Sequence, residues 1–88
     1  MVLVGRVVRP HGLRGQVVIA SETDFGADRF APGAKVWRQA GEAMSDLTVV
    51  DSHPQANRWI VAFENVTTVE EAETLRGIEL RIWDFRRI

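Results

Sequence analysis

Short runs of β-branched residues separated by turn-forming residues are the feature that most constrains how this chain folds. Residues 2–8 and 16–20 are rich in valine and isoleucine, and the segment 10–15 between them reads PHGLRG. Valine and isoleucine favour strands, whereas proline and glycine favour turns. The pattern therefore predicts a β-hairpin with a wide loop, in which Pro10 ends the first strand.

The rest of the chain continues this pattern. Further apolar segments predict strands at 35–38, 47–50, 59–63 and 78–82. The polar segment 39–45 is predicted to be a hairpin tip. A second turn is predicted at 52–59, because Pro54 and Asn57 interrupt the apolar pattern. The segment 21–33 is predicted to be a long surface connection with one helical turn near 27–30.

One convincing helix is predicted late in the chain. Thr68 and Glu71 have the spacing of a capping box, and Gly77 stands where a helix commonly stops. The apolar residues between them share one helical face: Val69, Ala72 and Leu75. Six short strands with one short late helix predict an all-β fold, a small antiparallel β-barrel.

Composition excludes several classes of function. The 88 residues contain no cysteine, which rules out disulfides, thiol catalysis and cysteine-ligated metals. No segment approaches the roughly 18 apolar residues of a membrane span. The net charge of −1 gives no bulk signature of nucleic-acid binding. We therefore expect a cytoplasmic protein with no membrane partner.

The residues capable of catalysis do not form a recognisable pattern. Ser21, His11 and Asp24 could be combined into a hydrolase site, but no nucleophile-elbow spacing supports it. His53 adds a second imidazole, yet no HxH or HExxH pair indicates a metal site. We expect no enzymatic activity, no metal and no cofactor, and we interpret the chain as a binding module.

An RNA-binding barrel is the main alternative that the residues leave open. Arg6, Arg9 and Arg14 precede every acidic residue and could form a local basic face. Aromatic residues that could stack on bases stand in or beside strands, where packing in the core is the competing role: Trp37, Trp59, Phe63 and Trp83.

Three segments of the sequence resemble one known family. Gly5-Arg6-Val7, the HGLRG sequence at 11–15 and the EEAETLRG sequence at 70–77 are similar, in order and separation, to motifs of the N-terminal domain of the ribosome maturation factor RimM. The resemblance runs from about residue 3 to residue 82. It implies a six-stranded antiparallel barrel like the second domain of translation elongation factors.

The resemblance also implies a function and a domain organisation. Family members act as non-catalytic, chaperone-like factors in small-subunit maturation and rRNA processing, and they bind ribosomal protein S19 in the subunit head. A second barrel of the PRC type normally follows. We therefore expect a monomeric barrel domain at 1–82 and, at 83–88, the start of a linker to a second barrel that is absent from this chain.

The resemblance makes the loop after the first strand a candidate contact surface for ribosomal protein or RNA. Its two arginines could contact phosphates or carboxylates, and its glycines could shape the backbone. The predicted partner-binding residues are Arg9, His11, Gly12, Leu13, Arg14 and Gly15. The competing interpretation is that these residues form only a turn.

Overall fold

The computed structural model describes residues 2–22 and 26–82. Six strands form a closed antiparallel barrel in the order β1-β2-β5-β4-β3-β6, which confirms the predicted fold class. The strands are β1 (Val2–His11), β2 (Gln16–Ser21), β3 (Lys35–Ala40), β4 (Ala43–Gln55), β5 (Arg58–Phe63) and β6 (Glu79–Ile82). The predicted linker at 83–88 lies outside the described residues, as do Asp24 and Trp83.

Two short helices accompany the barrel, where the predicted architecture has a single late helix. α1 (Gly26–Arg29) is the single helical turn expected in the first long connection, and α2 (Val69–Glu73) is the predicted late helix. The Thr68 side chain accepts a hydrogen bond from the Glu71 amide at 3.2 Å, as a capping box requires. Among the described residues, no helix is long and apolar enough to cross a membrane.

Irregularities in β1 and β4 help to close the barrel. The pairing register shifts between Leu3 and Gly5 and between Val7 and Arg9 in β1. A third shift lies between Val49 and Asp51 in β4. Because bulges bend a strand and increase its twist, they allow a six-stranded sheet to curl onto itself.

The core lies inside the barrel and is continued by α2. Val17 and Ile19 of β2 pair with Val61 and Trp59 of β5, and all but the half-buried Trp59 are fully buried. Ala72 of α2 and Leu75, which follows the helix, add further core residues; we call residues 69–77 the α2 segment. Hydrogen bonds from the Gly77 amide to the Val7 carbonyl and from the Val7 amide to the Ile78 carbonyl, at 2.8 and 2.9 Å, tie the end of this segment to β1.

Several predicted strand ends were wrong. β1 continues past Pro10 to His11, and β4 runs through Pro54, which pairs with Trp59. The predicted tip at 39–45 is much shorter, since Ala40 already pairs with Ala43. Both prolines lie where their strand has a partner on one side only, which is where a sheet tolerates a residue without an amide proton.

Candidate partner-binding surface

The predicted contact loop connects β1 to β2 over residues 12–15. Two glycines give it its shape, with φ angles of 70° at Gly12 and 87° at Gly15. These are left-handed conformations that residues with a side chain rarely adopt. Leu13 stands between them and is 83% exposed, the most exposed large apolar residue described. The loop therefore holds an apolar side chain out in solvent.

The base of this loop is fixed against the segment that leads into α2. Gly15 is buried, and a Cβ added there would lie 2.7 Å from the carbonyl carbon of Val66 and 2.8 Å from that of Thr67. Only glycine permits this close approach of two main chains. Gly15 therefore has a structural role, while Leu13 and the exposed Arg14 form the accessible tip.

The remaining predicted site residues lie at the end of β1. Arg9 pairs with Val18, and His11 pairs with Gln16. Val17 points into the core, so its neighbours on β2, Gln16 and Val18, point outward. Paired residues of an antiparallel ladder share a face of the sheet, so Arg9 and His11 also lie on the outer side. The structure thus places Arg9 and His11 beside the loop, on the strand that leads into it.

The barrel adds residues to this surface that are distant in sequence. One register row crosses four strands, from Arg9 through Val18 and Ile60 to His53. In the adjacent outward-facing row, Ala20 of β2 pairs with Arg58 of β5. We call the outer surface formed by the exposed Arg9, His53 and Arg58, with the buried Val18 and Ile60 between them, the basic face.

Sequence reasoning missed Arg58 and the place of His53. Their positions beside Arg9 depend on strand pairings between β1, β2, β5 and β4, which no local motif reports. It also counted Arg6 toward a local basic face, although the Arg6 guanidinium forms an ion pair with the Glu79 carboxylate at 2.9 Å. The only local sign was that Arg58 opens a strongly apolar strand.

Both arginines of the basic face, Arg9 and Arg58, lack an acidic partner among the described residues, as does Arg38 on β3, which donates a hydrogen bond to the Ser45 hydroxyl. Within residues 2–22 and 26–82, the same holds for Arg14 at the loop tip. Elsewhere, Arg76 pairs with Glu73 and Lys35 pairs with Asp46. These ion pairs lower the pKa of the Glu73 and Asp46 carboxyls, chiefly through the hydrogen bonds they accept.

Acidic groups gather elsewhere, around a cleft of about 350 Å³ between β4 and α2. Three carboxylates line it, those of Asp46, Glu64 and Glu71, together with the guanidinium of Arg38. This cleft therefore combines three carboxylates with one guanidinium, and no residue of the basic face lines it.

The two histidines considered for a hydrolase or metal site are not brought together, and Asp24 lies outside the described residues. His11 and His53 lie on β1 and β4, with β2 and β5 between them, which separates them by about 14 Å along the sheet. The described ranges contain no group of three His, Asp or Glu residues able to hold a metal.

Trp37 and Trp59, the tryptophans in the described part of the chain, do not form a base-stacking platform on the basic face. Trp59 packs against the core, with its ring centroid 5.8 Å from that of Phe30. Trp37 is half-buried on β3, opposite Asp46 of β4 and Arg81 of β6. Phe63 is a buried core residue.

Comparison with known proteins assigns this arrangement to a family. The family described as RimM N-terminal domain matches residues 2–84. The chain belongs to this family. The match spans all three motifs that carried the resemblance, so the RimM assignment made from them is confirmed.

Individual relatives agree with the RimM assignment. Proteins named ribosome maturation factor RimM from Lactobacillus delbrueckii subsp. bulgaricus and Corynebacterium jeikeium are 37% and 43% identical to this chain. The alignments cover 90% and 85% of this chain, but 46% and 40% of those relatives. The chain thus spans less than half the length of these two RimM proteins.

A solved structure shows the same fold. A crystal structure described as a 16S ribosomal RNA processing protein RimM from Pseudomonas aeruginosa superposes with a TM-score of 0.82 at 22% identity. The superposition covers 99% of this chain and 52% of that RimM chain.

Proposed function

We propose that this chain is a non-catalytic module of a ribosome maturation factor that assists maturation of the small ribosomal subunit and processing of its 16S rRNA. Membership of the RimM N-terminal domain family supports this proposal, as do the names of the relatives. In this proposal the module works in the cytoplasm as a monomer, without a cofactor. Residues 83–88 begin a linker to a second, PRC-type barrel.

The proposed protein partner is ribosomal protein S19 in the subunit head. We place the docking site for S19 at the β1–β2 loop. The main support is that Leu13 is 83% exposed on a loop whose base is fixed at Gly15. A large apolar side chain held in solvent by a rigid support is suited to enter a pocket on a partner, and little ordering entropy is then lost on binding. Arg9, His11 and Arg14 flank it and supply polar contacts around this anchor.

An NMR titration of the isotopically labelled chain with purified S19 tests this docking site. We expect amide shifts concentrated at residues 9–15 and at Val66 and Thr67, whose main chain contacts the loop. Shifts confined to another part of the barrel would overturn the assignment of the loop. An absence of shifts would contradict S19 binding by this module.

A pair of matched variants sharpens the test. Leu13→Ser removes the exposed apolar anchor, and we expect it to weaken S19 binding by about tenfold or more. Val50→Ser serves as the control, because Val50 is also an exposed apolar residue, at 55%, but lies on β4. Equal S19 affinity in the two variants would contradict an anchoring role for Leu13.

A further inference from the structure

The basic face contains two arginines and a histidine and no acidic residue. Arg9 and Arg58 have no acidic partner among the described residues, and His53 completes the row that begins at Arg9. The nearest acidic residue in the ladder is Asp51, at the margin on β4, where its carboxylate accepts a hydrogen bond from the Ser52 amide at 2.9 Å. The face is thus a local positive region on a chain of net charge −1.

The centre of the basic face is closed and rigidly supported. Val18 and Ile60 are 2% and 1% exposed, although neither belongs to the main core cluster. They lie on β2 and β5, each of which pairs with a strand on both sides. The face therefore offers little apolar area to a protein partner, which needs a buried hydrophobic centre for a stable interface.

Strand spacing fixes the positions of the two arginines. β1 and β5 flank β2, so the backbones at Arg9 and Arg58 stand about 10 Å apart across the sheet and are offset along it. Each of these two guanidinium groups can form paired hydrogen bonds with phosphate oxygens.

We propose that the basic face binds the phosphate backbone of RNA through Arg9 and Arg58, with His53 at its edge. The proposal deepens the proposed function and rests on it, because the RNA would be that of the maturing small subunit. Base stacking has no part in it, since Trp59 packs in the core and Trp37 lies on β3. Binding is therefore steeply dependent on salt and weakly dependent on sequence.

Fluorescence anisotropy with a labelled stem-loop from the head of 16S rRNA tests this proposal over a series of KCl concentrations. The double variant Arg9→Gln/Arg58→Gln is expected to bind at least about tenfold more weakly than the unmodified chain. The slope of log affinity against log salt should fall by about 1.4 to 1.8, since each lost phosphate contact removes about 0.7 to 0.9.

The control removes the same number of charges from other surfaces. Arg38→Gln/Arg76→Gln alters a residue of the acidic cleft and one of the end of the α2 segment. We expect it to retain the unmodified affinity and salt slope, with circular dichroism showing that both double variants are folded. Equal weakening in the two double variants, or no RNA binding by the unmodified chain, would overturn the proposal.

Parallel measurements with S19 separate this proposal from the proposed function. Arg58→Gln should lose RNA affinity and retain S19 affinity, because Arg58 lies on β5 and not in the docking loop, whereas Leu13→Ser should do the reverse. S19 binding without RNA binding would overturn the RNA proposal alone. RNA binding that responds to Arg9 and Arg58 without S19 binding would overturn only the S19 docking site.

Discussion

Gly15 packs directly against the main chain of Val66. A methyl group in place of the Gly15 hydrogen would meet the carbonyl group of Val66 and, at 2.8 Å, the carbonyl carbon of Thr67. The contact joins the β1–β2 loop to the residues that precede α2. The position of the candidate docking loop and the start of α2 are therefore fixed together.

Replacement of Gly15 by alanine tests this contact. The added methyl group would have to displace main-chain atoms, and the residue would have to keep a φ of 87°. Overpacking and left-handed backbone strain together predict a loss of about 3 kcal/mol in the free energy of unfolding. Urea denaturation followed by circular dichroism measures this loss.

Gly12→Ala is the matched control for that experiment. Gly12 also has a positive φ, 70°, but no atom lies within 4 Å of a Cβ placed there. Backbone strain alone predicts a loss of about 1 kcal/mol. If both variants lose the same stability, the contact with Val66 has no energetic importance.

Strand existence was predictable from the sequence, but strand ends were not. Pro10 and Pro54 were read as terminators because proline removes a ladder donor. That rule holds only where the amide would have had a partner. Only residues 2–6 of β1 pair with β6, and only residues 43–48 of β4 pair with β3. Pro10 and Pro54 therefore lie in parts of β1 and β4 that have one neighbouring strand instead of two.

The candidate surface was predictable only where it is local. The 11–15 motif identified the loop because its glycines and exposed residues are adjacent in sequence. Arg58 and Arg9 are 49 positions apart in the sequence (58 − 9). They lie on the same surface because β1 and β5 both pair with β2. The Arg6 to Glu79 ion pair, which spans the chain, could not be inferred from composition either.

The capping box of α2 gives a second stability prediction. The Thr68 hydroxyl oxygen accepts a hydrogen bond from the Glu71 amide and the hydroxyl donates to the Glu71 carboxylate, at 3.2 and 3.1 Å. Thr68→Ala removes both bonds and leaves a helix-end amide without its acceptor, so we expect a loss of about 1 kcal/mol. Urea denaturation measures it.

Thr68→Ser is the conservative counterpart, because serine retains the hydroxyl and caps helices at least as well as threonine. We expect its free energy of unfolding to remain within about 0.5 kcal/mol of the unmodified value. A serine variant as unstable as the alanine variant would show that the Thr68 methyl group, and not its hydroxyl, supports α2.

The ion pair between Glu73 and Arg76 predicts a dependence of stability on acid. The hydrogen bond from the Arg76 guanidinium, which lies 2.5 Å from the carboxylate, together with its positive charge, holds the pKa of Glu73 below its ordinary value of 4.5. The folded state therefore favours the carboxylate more than the unfolded state does. The stabilisation is present above about pH 4.5 and is lost as the pH falls through the lowered folded-state pKa.

An NMR titration of the Glu73 side chain measures this effect directly, with Arg76→Gln as the comparison. We expect the titration midpoint of Glu73 to lie below 4.5 in the unmodified chain and to rise toward the ordinary value in the variant. The stability difference between the two chains should be small, because both partners are exposed, and should shrink as the pH falls below 4.5. Identical midpoints in the two chains would mean that the ion pair does not persist in solution, and Arg76 would then be as free as Arg9 and Arg58.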